Sequence, residues 1–141
     1  MENILKERLW AYIVTHNPEL MFSLQEDFSV TRYLEEKVKS VMPLVERLVS
    51  EEKPLYAIEE LCLNELTEEL KPSRFLFIKS IFEEEFPEEY KLLRESGTLT
   101  YELVNLIKEC ELLFEKIGFS EGNHMLLRDA IKEQVNKYLT K

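Results

Sequence analysis

Apolar residues recur along most of this chain at the spacing of an α-helix, and they form successive stripes. In the first stripe Leu5, Leu9 and Ile13 lie four residues apart, on one face of a helix that Pro18 ends. Similar stripes predict helices at about residues 3–16, 30–50, 54–70, 73–86, 87–95, 98–117 and 120–139. The fourth of these is apolar on most sides, so we expect it to be the central helix.

Proline, glycine and serine mark the ends of these predicted helices. Ser73 is placed to cap the fourth helix, and Gly97 is placed to end the short helix after Pro87. Pro43 lies inside the second helix, where it predicts a kink or a break into two helices. The connector at 19–28 stays unassigned, with a further helical turn as one option.

Composition agrees with this pattern, because the chain has only 3 Gly in 141 residues and a sheet protein needs many tight turns. The length is that of one domain, and 45% of the residues are hydrophobic, which is enough for a core. We therefore predict an all-α fold over residues 1–141, a single domain built as a multihelical bundle of about six helices. No internal repeat is evident in the sequence.

The charge is acidic and uneven, with a net value of -10 that falls mostly within residues 51–89. A protein that binds nucleic-acid phosphates, or an anionic membrane, shows clustered positive charge instead, so direct binding to either is not expected. The N-terminus interrupts its apolar residues with charge, and no apolar run approaches the ~20 residues that span a bilayer. We expect a cytoplasmic protein; nothing in the sequence indicates its oligomeric state.

The residues that most often carry catalysis form no complete motif here. His16 lies on the apolar face of the first helix, and Glu121 with His124 forms one Glu-x-x-His pair where a di-iron bundle needs two pairs and two more glutamates. Cys62 and Cys110 lie within apolar stripes, which favours core packing over nucleophilic chemistry. We therefore expect no catalytic residue, no metal ligands, no cofactor and no enzymatic activity.

An acidic run beside two phenylalanines is the one candidate for partner binding. Carboxylates at the C-terminal end of the fourth helix oppose its dipole, so they reduce stability unless they serve another purpose. The alternative is that the charge keeps the protein soluble. The candidate partner-binding residues are Phe82, Glu83, Glu84, Glu85, Phe86, Glu88 and Glu89.

Three stretches, Ala11 to Leu20, Ala57 to Phe86 and Leu106 to Phe119, resemble in order and spacing a family of small all-helical bacterial domains of unknown function. Genes of that family are often found in conjugative transposons of anaerobes. The resemblance implies a multihelical fold and an association with a mobile element, and it supplies no catalytic residue. Asn17 departs from the family, in which a histidine before the proline is common.

Three functions from different classes remain open at this point. The first is a non-catalytic helical module that binds a protein partner through an apolar or acidic helix face, with a basic partner as one option. The second is an acidic decoy or inhibitor that presents carboxylates to a basic, nucleic-acid-binding protein. The third is an enzyme that uses a carboxylate pair, which the missing motif disfavours.

Overall fold

A computed structural model describes residues 1–140, and within them the regular structure is helical, without a β-strand. The helices are α1 Glu2–His16, α2 Pro18–Glu26, α3 Val30–Ser50, α4 Leu55–Thr67, α5 Arg74–Glu85, α6 Pro87–Ser96, α7 Leu99–Glu109, α8 Glu111–Ile117 and α9 His124–Leu139. Short 3-10 turns at Glu68–Leu70 and Glu121–Asn123 follow α4 and precede α9. The all-α prediction is confirmed, and the count of about six helices is wrong, because the described residues form nine.

Two of the additional helices have identifiable causes. The connector at 19–28 forms α2, because Pro18 both ends α1 and supplies the fixed φ that suits a first helical position. The long stripe at 98–117 is divided at Cys110, whose φ of -97° and ψ of 4° leave the helical region. The Cys110 N–H still donates to the Leu106 carbonyl at 2.9 Å, so the apolar spacing continues across the division.

Pro43 does not break its helix, since α3 runs from Val30 to Ser50 with the proline inside it. A proline at this position leaves the carbonyl of Lys39 without its helical N–H donor. Both residues are exposed, so water can hydrogen-bond that carbonyl in place of the missing donor. The expected break is therefore wrong, and the expected kink stays a prediction.

The described helices form two compact units, and the first spans Met1–Lys71. Here α1 packs against α2, α3 and α4, and α3 packs against α2 and α4. Their apolar stripes meet in a core of Leu5, Leu9, Ile13, Val38, Val41, Val45, Leu48, Ile58, Cys62 and Leu66. Leu61, next to Cys62 in α4, is 46% exposed, because adjacent helical residues point about 100° apart and Cys62 takes the inward direction.

The second unit spans Pro72–Lys141 and has its own core. Within it α5 packs against α6, α7 and α9, so the predicted central helix is central to this unit, while α8 packs against α9. Ser73 caps α5 as predicted, its hydroxyl accepting a hydrogen bond from the Leu76 N–H at 3.0 Å. The buried residues are Phe75, Ile78, Ile81, Phe82, Leu103, Leu106, Ile107, Cys110, Phe114, Leu127, Ile131 and Val135. The expectation of one domain over residues 1–141 stays a prediction.

Both units follow one plan, so the expectation of no internal repeat is corrected. In order along the chain, α1 corresponds to α5, α2 to α6, α3 to α7 together with α8, and α4 to α9. Helices that are in contact in the first unit have counterparts that are in contact in the second. A proline opens the second helix of each unit, at Pro18 and at Pro87, 69 positions apart. The preceding residues have nearly equal backbone angles, with φ and ψ of -137° and 56° at Asn17 and -133° and 58° at Phe86.

The same offset of 69 positions holds for the last helix of each unit. The buried residues of α4 are Ile58, Cys62 and Leu66, together with Thr67, and those of α9 are Leu127, Ile131 and Val135. All three apolar pairs are separated by 69 positions, and no pair shares a residue type. The repeat is therefore one of structure and apolar position, which a comparison of residue identities does not reveal.

Candidate functional site

The predicted acidic run lies at the junction of α5 and α6. Glu83, Glu84 and Glu85 form the last turn of α5, where a carboxylate opposes the helix dipole, as expected. Glu88 and Glu89 lie in the first turn of α6, where the dipole favours negative charge. The dipole argument therefore applies to the part of the run in α5 and not to its second half in α6.

Phe82 is not available to a partner in this structure. It is 1% exposed and contributes to the core of the second unit. Its ring lies 5.7 Å from that of Phe86 and 6.5 Å from that of Tyr90. The expectation that Phe82 anchors a partner is corrected, because its side chain lies on the inward face of α5. Phe86 is only half-buried and remains accessible.

Two of the five candidate carboxylates are paired within the unit. Arg128 on α9 donates to a carboxylate oxygen of Glu84, and its guanidinium lies 3.5 Å from Glu85. The Lys132 Nζ lies 2.9 Å from the other oxygen of Glu85, and the hydrogen bond between them is the main reason why the pKa of this carboxyl is lowered from its ordinary value. These pairs link the surfaces of α9 and α5, so Glu84 and Glu85 already have partners within the unit.

The other three carboxylates of the run stay unpaired among residues 1–140. Glu83 and Glu88 are exposed and Glu89 is half-buried, and none of them forms an ion pair within that range. Of the five carboxylates in the predicted acidic run, three are therefore without an ion pair in the described part of the chain, on the two sides of the α5–α6 junction.

A groove lies beside this junction, between Phe86 and one face of α9. Asp129, Lys132, Glu133 and Asn136 are spaced i, i+3, i+4 and i+7 on that helix, so their side chains emerge on the same side. The groove has a volume of about 350 Å³. The α9 residues were absent from the sequence-based candidates, since their spacing alone does not distinguish them from an ordinary solvated helix face.

Neither cysteine is suited to nucleophilic chemistry. Cys62 and Cys110 are both 0% exposed, which confirms the prediction of core packing. Burial raises the pKa of both thiols, in the case of Cys110 to about 11, with Glu109 adding to the effect there. A thiol with a raised pKa stays protonated near neutral pH, and the thiolate is the reactive form.

The two histidines lie in different local surroundings. The His16 ring stacks on Tyr12 with centroids 4.0 Å apart, and its Nδ1 is 3.1 Å from the Tyr12 carbonyl oxygen, as expected for a histidine at a helix C-terminus. His124 lies among aromatic side chains, 5.3 Å from the ring of Phe77 and 5.5 Å from that of Phe119. In the part of the chain that the structure covers, no three His, Cys, Asp or Glu side chains are grouped to hold a metal ion. The absence of a metal stays a prediction.

None of the described helices has the long apolar stretch that crossing a bilayer requires. Comparisons with protein-family models, with curated proteins and with solved structures found no match for this chain, so the resemblance to a family of mobile-element domains stays a prediction from the sequence.

Proposed function

We propose that this protein is a non-catalytic interaction module and that a basic segment of a partner protein binds in the groove between Phe86 and α9. The observation that supports this is the combination of an apolar side chain with an acidic rim. Phe86 is half-buried in the groove, and Asp129 and Glu133 at its edge are exposed.

A lysine or arginine side chain fits this combination. Both have an apolar stem that packs on a hydrophobic surface and a charged head that stays near its counter-charge. The stem would lie along the Phe86 ring, and the head would reach the carboxylate of Asp129 or Glu133. Lys132, the cation of the groove, is paired with Glu85, and the Lys137 Nζ lies 4.0 Å from Glu133, so Asp129 is the rim carboxylate without an ion pair among the described residues.

The surrounding charge favours the same partner. Glu83 and Glu88 are exposed near the groove, in a chain whose net charge is -10. A negative field of this kind raises the rate at which a positively charged partner arrives and weakens as salt is added. The proposal includes a cytoplasmic location and, through the family resemblance, an association with a conjugative mobile element.

Charge reversal on the groove rim tests the proposal. The Asp129→Lys, Glu133→Lys variant is compared with a control of equal charge change in the first unit, Glu36→Lys with Glu46→Lys, both of which are exposed. Each serves as bait in a pull-down from cells of origin, and the affinity of the partner recovered by wild type is then measured in purified form against salt.

We expect the groove variant to bind about tenfold more weakly or worse, and the control to change binding less, because charges at an interface act most strongly at close range. Binding to wild type should weaken as salt rises. An equal loss of affinity in both variants would show that net charge, and not the groove, is responsible for binding. Unchanged binding in the groove variant would refute the proposed site.

A further inference from the structure

A second surface, in the first unit, consists of the turn that ends α2. Phe28 in this turn is 96% exposed, the largest exposure among the exposed large hydrophobic residues of the described chain. Its φ is 54°, in the left-handed region that phenylalanine rarely adopts. A large apolar side chain thus lies fully in solvent on a strained backbone position.

The turn itself explains the positive φ but not the phenylalanine. The Ser29 N–H donates to the Leu24 carbonyl at 2.9 Å, and the Phe28 N–H donates to the Gln25 carbonyl at 3.2 Å. This is the hydrogen-bond pattern of a Schellman motif, whose left-handed position is usually glycine because glycine lacks the Cβ that causes the strain.

The second unit contains the same turn 69 positions later, with glycine at the left-handed position. There Gly97 has φ of 78°, its N–H donates to the Arg94 carbonyl at 3.2 Å, and the Thr98 N–H donates to the Leu93 carbonyl at 3.0 Å. Arg94 also places a positive charge in the last turn of α6, where the helix dipole favours it. The fold therefore accommodates glycine at this position.

The charge at the α2 turn also departs from the preference of a helix C-terminus for basic residues. Glu26 and Asp27 are exposed at the C-terminal end of α2, and its last turn contains no basic residue. Acidic groups at that end are disfavoured by the dipole. Glu52 also has a positive φ, of 58°, but its charged side chain is well hydrated. Among residues 1–140, only the α2 turn combines backbone strain, opposed charge and an exposed aromatic ring, and such local conflicts concentrate at functional sites.

We infer that Phe28 is an anchor that inserts into an apolar pocket on a partner protein, with Glu26 and Asp27 contacting lysine or arginine side chains at the pocket rim. A buried aromatic side chain surrounded by polar contacts is the usual arrangement at the energetic centre of an interface. The two acids specify a basic rim by charge complementarity. This surface belongs to the first unit, whereas the groove at α9 belongs to the second, and it extends the proposed function with a second contact.

A photoreactive probe at the anchor position tests the inference. The full chain is made with p-benzoylphenylalanine replacing Phe28, and a matched control has the same probe at Tyr101, another exposed aromatic position, which is 61% exposed. Irradiation in cells of origin is followed by identification of any adduct by mass spectrometry. The protein crosslinked at position 28 is then purified, and its affinity is measured for wild type, Phe28→Gly and the double variant Glu26→Gln, Asp27→Asn.

We expect a protein adduct at position 28 that is weak or missing at position 101. Phe28→Gly should weaken binding by about 100-fold while the circular dichroism spectrum stays native, and the double variant should weaken it by several-fold at low salt and less at high salt. Equal crosslinking at both positions, a lipid or nucleic-acid adduct in place of a protein, or binding of Phe28→Gly within about twofold of wild type would overturn the inference.

Discussion

The two equivalent turns allow a reciprocal test of backbone strain, with Phe28→Gly in the first unit and Gly97→Ala in the second. A Cβ built on Gly97 meets no heavy atom within 4 Å, so the second change alters backbone preference without creating a steric clash. Phe28 is 96% exposed, so the first change removes almost no buried apolar surface. The two changes should therefore shift stability in opposite directions.

The expected magnitudes follow from two opposing contributions. A residue other than glycine in the left-handed region costs roughly 1–2 kcal/mol. Glycine in turn loses about 0.5–1 kcal/mol more conformational entropy on folding than alanine. We therefore expect Phe28→Gly to raise the free energy of unfolding by about 0.5–1 kcal/mol and Gly97→Ala to lower it by about the same amount.

Urea unfolding measures both changes. Trp10 is the only tryptophan and lies in the first unit, so its fluorescence follows the unit that contains Phe28. Far-ultraviolet circular dichroism follows both units and reports Gly97→Ala. The slope of free energy against urea should stay constant, because neither change alters the surface exposed on unfolding.

A loss of stability in Phe28→Gly would refute this reasoning. It would show that the phenylalanine ring makes a stabilising contact in the isolated protein, and the proposal that Phe28 is an exposed anchor would lose its support. A Gly97→Ala variant as stable as wild type would show that the turn relaxes to a negative φ at no cost.

Three further outcomes are expected. Leu106→Ala should lower the free energy of unfolding by about 2–5 kcal/mol because Leu106 is fully buried. Leu112→Ala, at a position 63% exposed, should change it by less than about 0.5 kcal/mol. Equal losses of stability in urea unfolding would contradict the assigned core. The Cys110 thiol should react slowly with a thiol reagent in native protein and quickly in urea, and fast native labelling would show that it is accessible. NMR should show that the pKa of the Glu85 carboxyl lies below its ordinary value of 4.5 and moves back toward it in Lys132→Ala. A lowered pKa stabilises the fold at pH values above the pKa of the unfolded state, and this contribution is lost as the pH falls through the pKa of the folded state. The difference in stability between the two proteins should therefore shrink at acid pH, and a difference that stays constant would be inconsistent with the Glu85–Lys132 pair.

Local sequence signals predicted the helices and several of their ends. Ser73 caps α5 and Gly97 ends α6 in the left-handed conformation, because both act through hydrogen bonds to neighbours in the chain. The division at Cys110 had no such signal, since neither glycine nor proline marks it and the apolar spacing continues through it. Apolar character alone does not identify the buried residues, since Leu61 is 46% exposed although it lies next to the buried Cys62.

The candidate site could be predicted only in part, because it depends on how helices that are distant in the sequence pack together. The acidic run is visible in the sequence, but Arg128 lies 44 positions from Glu84, and the pairing depends on how α9 packs against α5. Phe86 was named among the candidates, whereas the rim residue Asp129 was not, since a groove between helices is a property of packing. Phe28 was overlooked because its strain is visible only in the backbone angle.

Each of the two cores is made from one uninterrupted stretch of chain, and this has a consequence for synthesis. The first core needs only residues 1–71, so it can form before the ribosome has completed the second unit. At roughly 5–20 residues per second, the remaining half of the chain takes about 4–14 s to make, whereas small helical bundles fold in microseconds to milliseconds. The first unit therefore has time to fold while translation continues, which limits the exposure of its apolar stripes to other nascent chains.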